Sequence, residues 1–503
     1  MQGFTVIDLI ILIVYLAAVL FAGLFFAKKE MKGKEYFKGD GTIPWWVTSV
    51  SIFATLLSPI SFLSLAGNSY AGTWLMWFAQ LGMLLAIPLT IKFFLPIYSK
   101  LGIDTAYHYL ELRFGSKGLR VLGAIMFIIY QVGRMSIIMY LPCMVLGSLT
   151  GISVNLLIII MGVIAIIYSY TGGLKSVLWT DFIQGSVLLL GVTFGLIFLL
   201  AHLDGGIGAI FHEFAANQKF LSASEPLFNP QILKDSVLLM IVGAGINTMS
   251  SYVSSQDIVQ RFTTTTDTKK LNKMMLTNGA LSIFIATVFY LIGTGLYVFY
   301  QVQGNALPPA AQQDQIFASW IAFELPVGVT GILLAAIYAA AQSTLSTGLN
   351  SVASSWTLDI QERLTKKELS FEKQTKIGQT VSLLVGIFSI VIAMVLANGG
   401  VKSAYEWFNG FMGLVLGILI GTFVLGAFTK VANTFGATIA FIVASCVMVG
   451  IKYFAPAGSV SIWSYSIISI TVSLLVGIPA SWIWRRVRKD TSVPPQFTTI
   501  YKN

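Results

Sequence analysis

The chain has 503 residues, of which 56% are hydrophobic and only 10% are charged, and its mean hydropathy is +0.81. A soluble globular protein carries roughly 25% charged residues, so this composition excludes a soluble domain and indicates a chain surrounded by lipid. The net charge of +10 predicts contact with anionic lipid headgroups, and we expect no nucleic-acid partner.

Apolar runs long enough to cross a bilayer follow one another along the whole chain. Because backbone in lipid must satisfy its own hydrogen bonds, apolar runs of about 20 residues form helices. With no linker between them, the runs predict one all-α polytopic domain. The thirteen predicted spans are 5–27, 44–69, 73–98, 121–148, 153–170, 177–201, 233–252, 275–300, 326–352, 377–398, 404–428, 431–453 and 460–484.

Lysine and arginine positions orient these spans, because basic loops remain in the cytoplasm. Five lysines directly follow the first span, which places the N-terminus outside the cell. With thirteen alternations, 25 of the 31 lysines and arginines fall in loops predicted to be cytoplasmic and only four fall outside. The pattern predicts a multi-pass plasma-membrane protein with a cytoplasmic C-terminus.

Two spans contain residues that interrupt helices. Counted from the second span, they are helices one and six, where an inverted five-plus-five repeat places its unwound helices and its ligands. The alternative is that small residues and proline merely allow close packing or a kink. The two segments are 49–68, with Ser58, Pro59 and Ser61, and 243–251, with Gly243, Gly245 and Asn247.

Arg134 lies fourteen residues into the predicted fourth span. A charge at that depth costs roughly 2.5 to 3.5 kcal/mol on insertion scales, so a counter-ion or a wet cavity must offset it. A substrate carboxylate would meet the guanidinium bidentately. The alternative is an internal salt bridge or pairing with backbone carbonyls.

The segment AAAQSTLSTGLNS, residues 339–351, concentrates hydroxyl groups inside a span. Neutral oxygen ligands suit a hard monovalent cation such as sodium, whereas zinc or copper would require histidine or cysteine. The alternative is that these hydroxyls join neighbouring helices. Helical spacing puts four residues on one face, with Ser346 beside them: Ala340, Ser343, Thr344 and Thr347.

Three further side chains are candidates for binding. Asp181 either completes a cation site or caps the start of the sixth span, and its segment alone favours the cap. Gln80 and Phe78 offer an amide and an aromatic wall to a polar solute, although Phe78 could equally face lipid or pack internally. No phosphate-binding loop or nucleophile elbow occurs in the sequence, so we expect a transporter and no enzyme.

Several of these segments resemble the sodium/solute symporter family, and within it the bacterial sialic acid symporters. The family resemblance implies a LeuT-like fold with a leading helix and loop (1–43), a ten-helix core (44–430) and two trailing helices with a tail (431–503). The sialic acid symporters share the run YFKGDG, the Gly-Arg pair at 133–134 and AAAQS. The similar family segments are YSYTGGLKSVLWTDFIQG (168–185), Ser255 to Arg261, residues 339–351 and SIFATLLSPIS.

The resemblance also implies binding residues, and it makes Asp181 an ion ligand. At Leu56 and Pro59 the sequence departs from the hydroxyl residues of the sialic acid symporters, which leaves the substrate less defined than the sodium coupling. The implied sites are a first sodium site (Ala54, Leu57, Ala340, Ser343, Thr344), a second (Asp181, Ser343, Ser346, Thr347), and substrate contacts (Ser58, Ser61, Gln80, Arg134), to which Phe78 and Asn247 are added from their positions.

The predicted function is therefore sodium-coupled import of a small anionic solute by alternating access. Sialic acid (N-acetylneuraminate) with two sodium ions is the first hypothesis, and we expect a monomer. The alternatives are a sodium symporter for proline, pantothenate or a sugar, and a membrane sensor that binds without net transport.

Overall fold

The structure is a computed structural model that describes residues 5–27, 37, 42–231, 234–265, 267–307, 315–365, 369–399, 404–456, 458–489 and 493–501. Throughout these ranges the regular structure is helical and no β-strand occurs. The prediction of an all-α protein is confirmed.

The helices vary widely in length and burial. In chain order they are α1 (Val6–Ala27), α2 (Trp45–Leu56), α3 (Pro59–Ala71), α4 (Leu75–Leu101), α5 (His108–Phe114), α6 (Lys117–Thr150), α7 (Val154–Ile167), α8 (Gly173–His202), α9 (Gly206–Ala216), α10 (Val237–Ser254), α11 (Gln256–Phe262), α12 (Thr268–Val302), α13 (Ile316–Glu324), α14 (Val329–Thr365), α15 (Phe371–Asn398), α16 (Ala404–Phe428), α17 (Thr434–Phe454) and α18 (Ile462–Arg488).

The described helices account for most of the predicted spans. Eleven are long and apolar enough to cross a membrane, and the bent pair α2 and α3 makes twelve if it counts as one span. The predicted span 153–170 corresponds to the shorter apolar helix α7. The total of thirteen is reached only if α7 also crosses the membrane, so that count stays a prediction.

The predicted interruption in the second span is present. The axes of α2 and α3 meet at 60°, and both linking residues, Leu57 and Ser58, are extended, with ψ of 108° and 169°. Pro59 is the first residue of α3, where its missing N–H costs nothing and its ring disfavours a helical residue before it. The proline thus explains the break locally.

The predicted interruption at 243–251 is wrong, because α10 runs unbroken through these residues. Its glycines allow close packing instead: a Cβ on Gly243 would overlap the Trp463 carbonyl, and one on Gly245 would lie 2.9 Å from the Gly82 carbonyl. The chain leaves the helix only at Ser255, whose ψ is 117°, before α11 begins.

Burial distinguishes the centre of the bundle from its periphery. In α14 89% of the apolar stretch is buried inside the protein, whereas in α1 the share is 17%. The hydroxyl-rich helix is therefore the central element, and the leading helix lies at the edge. The predicted division into domains at 43 and 430 stays a prediction.

Candidate substrate cavity and cation cluster

A cavity of about 730 Å³, including its opening, lies where α2, α3, α4, α6, α10 and α16 meet. Four of the six predicted substrate residues line it: Ser61, Gln80, Arg134 and Asn247. We call this space the substrate cavity.

The other two predicted substrate residues do not line the cavity. Ser58 is buried at the start of α3, and Phe78 packs against the rings of Trp77 and Phe220, with centroids 5.6 and 5.8 Å away. Their roles in binding stay predictions. Leu56 does line the cavity, so the departure from a hydroxyl residue there makes its wall more apolar.

Arg134 has protein partners, as the internal-pair alternative requires. Its Nη1 donates to a carboxylate oxygen of Asp257, and its Nη2 donates to the carbonyl of Thr55. Both charged side chains are buried, with 3% and 0% exposure. The Asp257 carboxylate thus neutralises the charge that the membrane-spanning segment would otherwise leave uncompensated.

Two buried N–H donors, on residues that line the cavity, have no hydrogen-bond partner among the described residues. They are Nε of Arg134 and Nδ2 of Asn247. The Oδ1 of Asn247 already accepts a hydrogen bond from the Ser466 hydroxyl. Because an unpaired buried donor costs about 1 to 3 kcal/mol, a bound solute that offered an acceptor to either group would relieve this cost.

A cluster of oxygen atoms surrounds Asp181, which is fully buried inside α8. Its Oδ1 accepts from the Ser343 hydroxyl at 2.8 Å, and its Oδ2 accepts from Ser51 at 2.6 Å and from Thr347 at 3.2 Å. We call these four residues the cation cluster. Asp181 lies well inside the helix, so the capping interpretation is wrong.

Arg261 contacts the same cluster, although sequence analysis assigned it no role beyond the family motif. Its Nη2 donates to Asp181 and to Thr347, both at 2.6 Å, and its Nε donates to Ser51 at 2.9 Å. Opposite charges within buried segments must pair. That requirement could have predicted the contact between Asp181 and Arg261 from the sequence. Ser346, a predicted ligand, instead donates to the Ser343 carbonyl at 3.0 Å.

The residues predicted for the first sodium site are at the end of α2 and on α14. The last carbonyls of a helix lack partners within the helix, and Ala54 and Leu57 are at this end. On α14, the Thr344 hydroxyl donates to the Ala340 carbonyl at 3.0 Å. The second hydroxyl predicted for this site, that of Ser343, donates to Asp181 Oδ1 in the cation cluster.

The substrate cavity and the cation cluster are joined by contacts through α2. Arg134 donates to the Thr55 carbonyl, and the Thr55 hydroxyl lies 3.5 Å from that of Thr347. Thr347 in turn donates to Asp181. A change at one site therefore has a direct physical route to the other.

A second route runs through α11. Asp257 accepts from Arg134 through its carboxylate and from Arg261 through its carbonyl. Arg261 donates to Asp181. The two arginines are therefore held by one helix, between the cavity and the cluster.

Comparison with known proteins identifies the family. Residues 36–444 match the sodium:solute symporter family. The chain belongs to this family. It is 34% identical to the sodium/sialic acid symporter SiaT of Proteus mirabilis, over 90% of this chain and 91% of the relative. It is 30% identical to the sodium/sialic acid symporter NanT of Aliivibrio fischeri, over 95% and 93%.

Solved structures agree with the family. A substrate-bound outward-open state of a Na⁺-coupled sialic acid symporter matches this symporter with a TM-score of 0.87 at 32% identity, covering 95% and 98% of the two chains. A nucleobase-cation-symport-1 transporter, in a closed conformation with bromovinylhydantoin bound, shares the fold with a TM-score of 0.59 at 14% identity over 91% and 95%. The resemblance to sodium/solute symporters and the LeuT-like fold are confirmed.

At one end of the symporter a buried ion-pair network joins α5, α6 and α14. Arg120 donates to Asp359 at 2.5 Å and to Glu111 at 2.8 Å, and Thr105 donates to Asp359 at 2.5 Å. Topology prediction puts this end in the cytoplasm. We call these four residues the closing network, because they tie three segments together at that end.

His108 lies beside this network, outside the membrane-spanning segments. The backbone N–H of Asp104 donates to its Nδ1 at 3.4 Å, so the ring accepts in its neutral form. Burial, together with the nearby charge of Arg120, lowers the pKa of His108 to about 4. The imidazole is therefore neutral at physiological pH.

Proposed function

We propose that this protein is a sodium-coupled symporter that imports sialic acid, N-acetylneuraminate. The observation that carries the proposal is a pair of unpartnered buried donors on Arg134 and Asn247, two residues of a cavity that hydrogen bonds link to a buried oxygen cluster. Sodium/sialic acid symporters at 34% and 30% identity support the substrate.

The solute carboxylate binds at Arg134. A guanidinium has five N–H donors, and the protein partners of Arg134 are the Asp257 carboxylate, the Thr55 carbonyl and the Tyr130 side chain. Because Asp257 already balances the charge, Arg134 recognises the carboxylate through directed hydrogen bonds more than through net charge. The amides of Gln80 and Asn247 supply further donors and acceptors for hydroxyl and acetamido groups.

Two sodium ions accompany each solute. The first binds at the break after α2, where carbonyls of Ala54, Leu57 and Ala340 supplement the hydroxyls of Ser343 and Thr344. Sodium at this break fixes the end of α2 and, through Thr55, the orientation of Arg134. Sodium and solute then raise each other's affinity by the same factor.

The second ion binds at the cation cluster with Asp181, Ser343, Ser346 and Thr347. Arg261 already contacts Asp181 Oδ2, so the ion uses the Oδ1 side, where Ser343 is the partner. The Ser343 hydroxyl then turns its lone pairs toward the ion. Because Ser343 belongs to both sites, replacing it affects the binding of both ions.

Transport follows by alternating access in the plasma membrane, with the N-terminus outside and the C-terminus in the cytoplasm. The closing network of Arg120 and Asp359 must separate before the cavity opens to the cytoplasm. A monomer embedded in lipid is sufficient for this cycle, because cavity and cluster are built from one chain.

Calorimetric binding tests the proposal. We expect purified protein to bind N-acetylneuraminate at least tenfold more tightly in sodium chloride than in choline chloride. Injections of proline, pantothenate or glucose should give no more heat than injections of buffer. If another solute of this panel binds in a sodium-dependent way and N-acetylneuraminate does not, that solute is the substrate in place of sialic acid. Binding unaffected by sodium would contradict coupling, and binding without any uptake would favour a sensor.

A further inference from the structure

The leading helix α1 supplies the N-terminal cap of α14, the helix that carries the sodium ligands. Asp8 on α1 is 1% exposed, and its Oδ1 accepts from the backbone N–H of Gly328 at 2.8 Å and of Gly331 at 2.9 Å. These are the cap and third positions of α14. Asp8 is more than 300 residues away in sequence from the two glycines that donate to it.

The first turn of α14 has no capping side chain of its own. Its cap residue is Gly328, with φ +90°, a conformation that favours glycine. The N–H groups of Val329 and Thr330 donate to the Pro326 carbonyl at 3.1 and 3.3 Å. Asp8 accepts hydrogen bonds from the remaining two N–H groups of this turn, so the α1 carboxylate completes the cap.

The backbones of α1 and α14 approach each other closely at this contact. A Cβ on Gly331 would lie 2.9 Å from both Cα and the carbonyl oxygen of Asp8, so only glycine admits the α1 backbone. The carboxylate is itself fixed at the start of α1, because its Oδ2 accepts from the backbone N–H of the preceding residue Thr5 at 3.0 Å and from the Thr5 hydroxyl at 2.5 Å. This is a capping box shared by two helices.

The other end of α1 holds the helix that carries Asp181. Ser176 on α8 donates to the Gly23 carbonyl at 2.8 Å, and the rings of Phe26 and Trp179 stack at 5.4 Å. Asp181 follows only five residues after Ser176. The peripheral helix thus contacts α8 and α14, two of the three helices whose side chains form the cation cluster.

We infer that α1 is a brace for the sodium sites and that Asp8 is a positioning residue for sodium binding. Asp8 sets the position of α14 along its axis, and Ser176 with Gly23 sets α8 beside it. Ala340 follows Gly328 by twelve residues, about 18 Å along the helix, so Asp8 touches no ion and acts through the helix. The inference rests on the proposed sodium coupling.

Sodium activation of N-acetylneuraminate uptake into proteoliposomes tests the brace. We expect Asp8→Ala to raise the half-saturating sodium concentration about tenfold, as expected for loss of a helix cap, while the maximal rate at saturating sodium stays within twofold. A matched control is Asp267→Ala, which removes the N-cap of α12, where Asp267 accepts from Lys269 at 2.8 Å. Its sodium dependence should match the wild type.

Two milder variants keep the test decisive if Asp8→Ala does not fold. Asp8→Asn retains an acceptor oxygen but loses the charge, and Ser176→Ala removes one hydroxyl at the opposite end of α1. Each should raise the half-saturating sodium concentration about threefold and reduce the rise in melting temperature that sodium alone produces. Unchanged sodium dependence in both variants would overturn the brace. A wild-type protein without sodium activation would instead contradict the proposed function.

Discussion

Arg134 shows how a buried charge can serve structure and binding together. It lines the cavity, its guanidinium is paired with Asp257, and its buried Nε still has no partner among the described residues. Removing only the arginine leaves a buried carboxylate without a counter-charge, which costs about 3 to 5 kcal/mol. Loss of stability and loss of binding must therefore be separated by experiment.

We predict that Arg134→Gln abolishes measurable N-acetylneuraminate binding and lowers the melting temperature. The double variant Arg134→Gln with Asp257→Asn removes both charges, so it should regain most of the stability but none of the binding. Calorimetry with thermal unfolding measures both properties. Wild-type affinity in the stable double variant would remove Arg134 from the substrate site.

Ser343 is the residue shared by the two proposed sodium sites. We predict that Ser343→Ala raises the half-saturating sodium concentration for uptake about tenfold, because it removes a ligand and the donor to Asp181. Ser351→Ala is the matched control, since this buried serine of α14 donates only to the Gly348 carbonyl at 2.9 Å. Equal sodium dependence of the two variants would reject Ser343 as a ligand.

His108 predicts a pH dependence of stability. Its pKa of about 4 in the folded protein is below its ordinary value of 6.5, so the unfolded chain binds more protons between these two pH values. Stability from this group is complete above pH 6.5 and is lost as the pH falls toward 4. His108→Gln should reduce the loss of melting temperature in this range.

The control for His108 is His212→Gln, because the His212 side chain is 75% exposed. This variant should keep the wild-type dependence of melting temperature on pH. If His108→Gln also keeps it, other groups cause the acid sensitivity.

Single residues differed in how far the sequence could predict them. Polar side chains inside apolar runs are conspicuous in a sequence, because burying them is unfavourable without a partner or a function. Sequence analysis found Arg134, Asn247 and Gln80 in this way, and all three line the cavity. Arg261 and Ser51 were missed because their significance depends on Asp181, which lies far away in sequence. Their pairing is a property of the folded bundle, which a local pattern does not contain.

At the scale of helices, the two predicted interruptions had different outcomes. Pro59 breaks α2 from α3 through its own covalent structure, which is visible in sequence. Gly243 and Gly245 are compatible with either an unwound segment or close packing, and the neighbouring helices decide for packing. Local chemistry therefore predicted the first break, and tertiary contacts decided the second.

The crossing of α4 and α10 gives a prediction for helix packing. A Cβ on Gly82 would lie 2.7 Å from the Ile241 carbonyl and would also overlap the Gly245 backbone. We predict that Gly82→Val separates the helices, destabilises the protein by about 1 to 3 kcal/mol and weakens substrate binding, since Gln80 is in the same turn. Thermal unfolding and calorimetry measure the two effects.

The control for Gly82 is Gly450→Ala on α17, where an added Cβ meets nothing within 4 Å. This substitution should leave binding unchanged and preserve or slightly increase stability, because alanine favours helix. A Gly82→Val protein as stable as this control would show that α4 and α10 can move apart without cost.

The whole molecule surrounds α14, and the sequence predicted this arrangement only in part. Composition and apolar run length were sufficient for the all-α fold, and the family motifs for its LeuT-like class, which the solved symporter confirms. The central position of α14 and the peripheral position of α1 depend on which faces meet. Hydropathy alone makes α1 a stronger candidate for a membrane span than α14, although α1 is the least buried of the eleven long apolar helices.

The proposed stoichiometry sets the driving force of transport. Two sodium ions moving down a tenfold gradient release about 2.8 kcal/mol. With an anionic solute the cycle carries one net positive charge, worth about 2.3 kcal/mol per 100 mV. The sum of roughly 5 kcal/mol supports a solute accumulation of several thousandfold.

Uptake against a gradient is the most direct test of sodium-coupled symport. Proteoliposomes are loaded with N-acetylneuraminate at the external concentration and given labelled solute with an inward sodium gradient. We predict accumulation far above the external concentration, further increased by an inside-negative potential and abolished when the sodium gradient is collapsed. Labelled solute that only equilibrates, whether or not the gradient is present, would contradict the account.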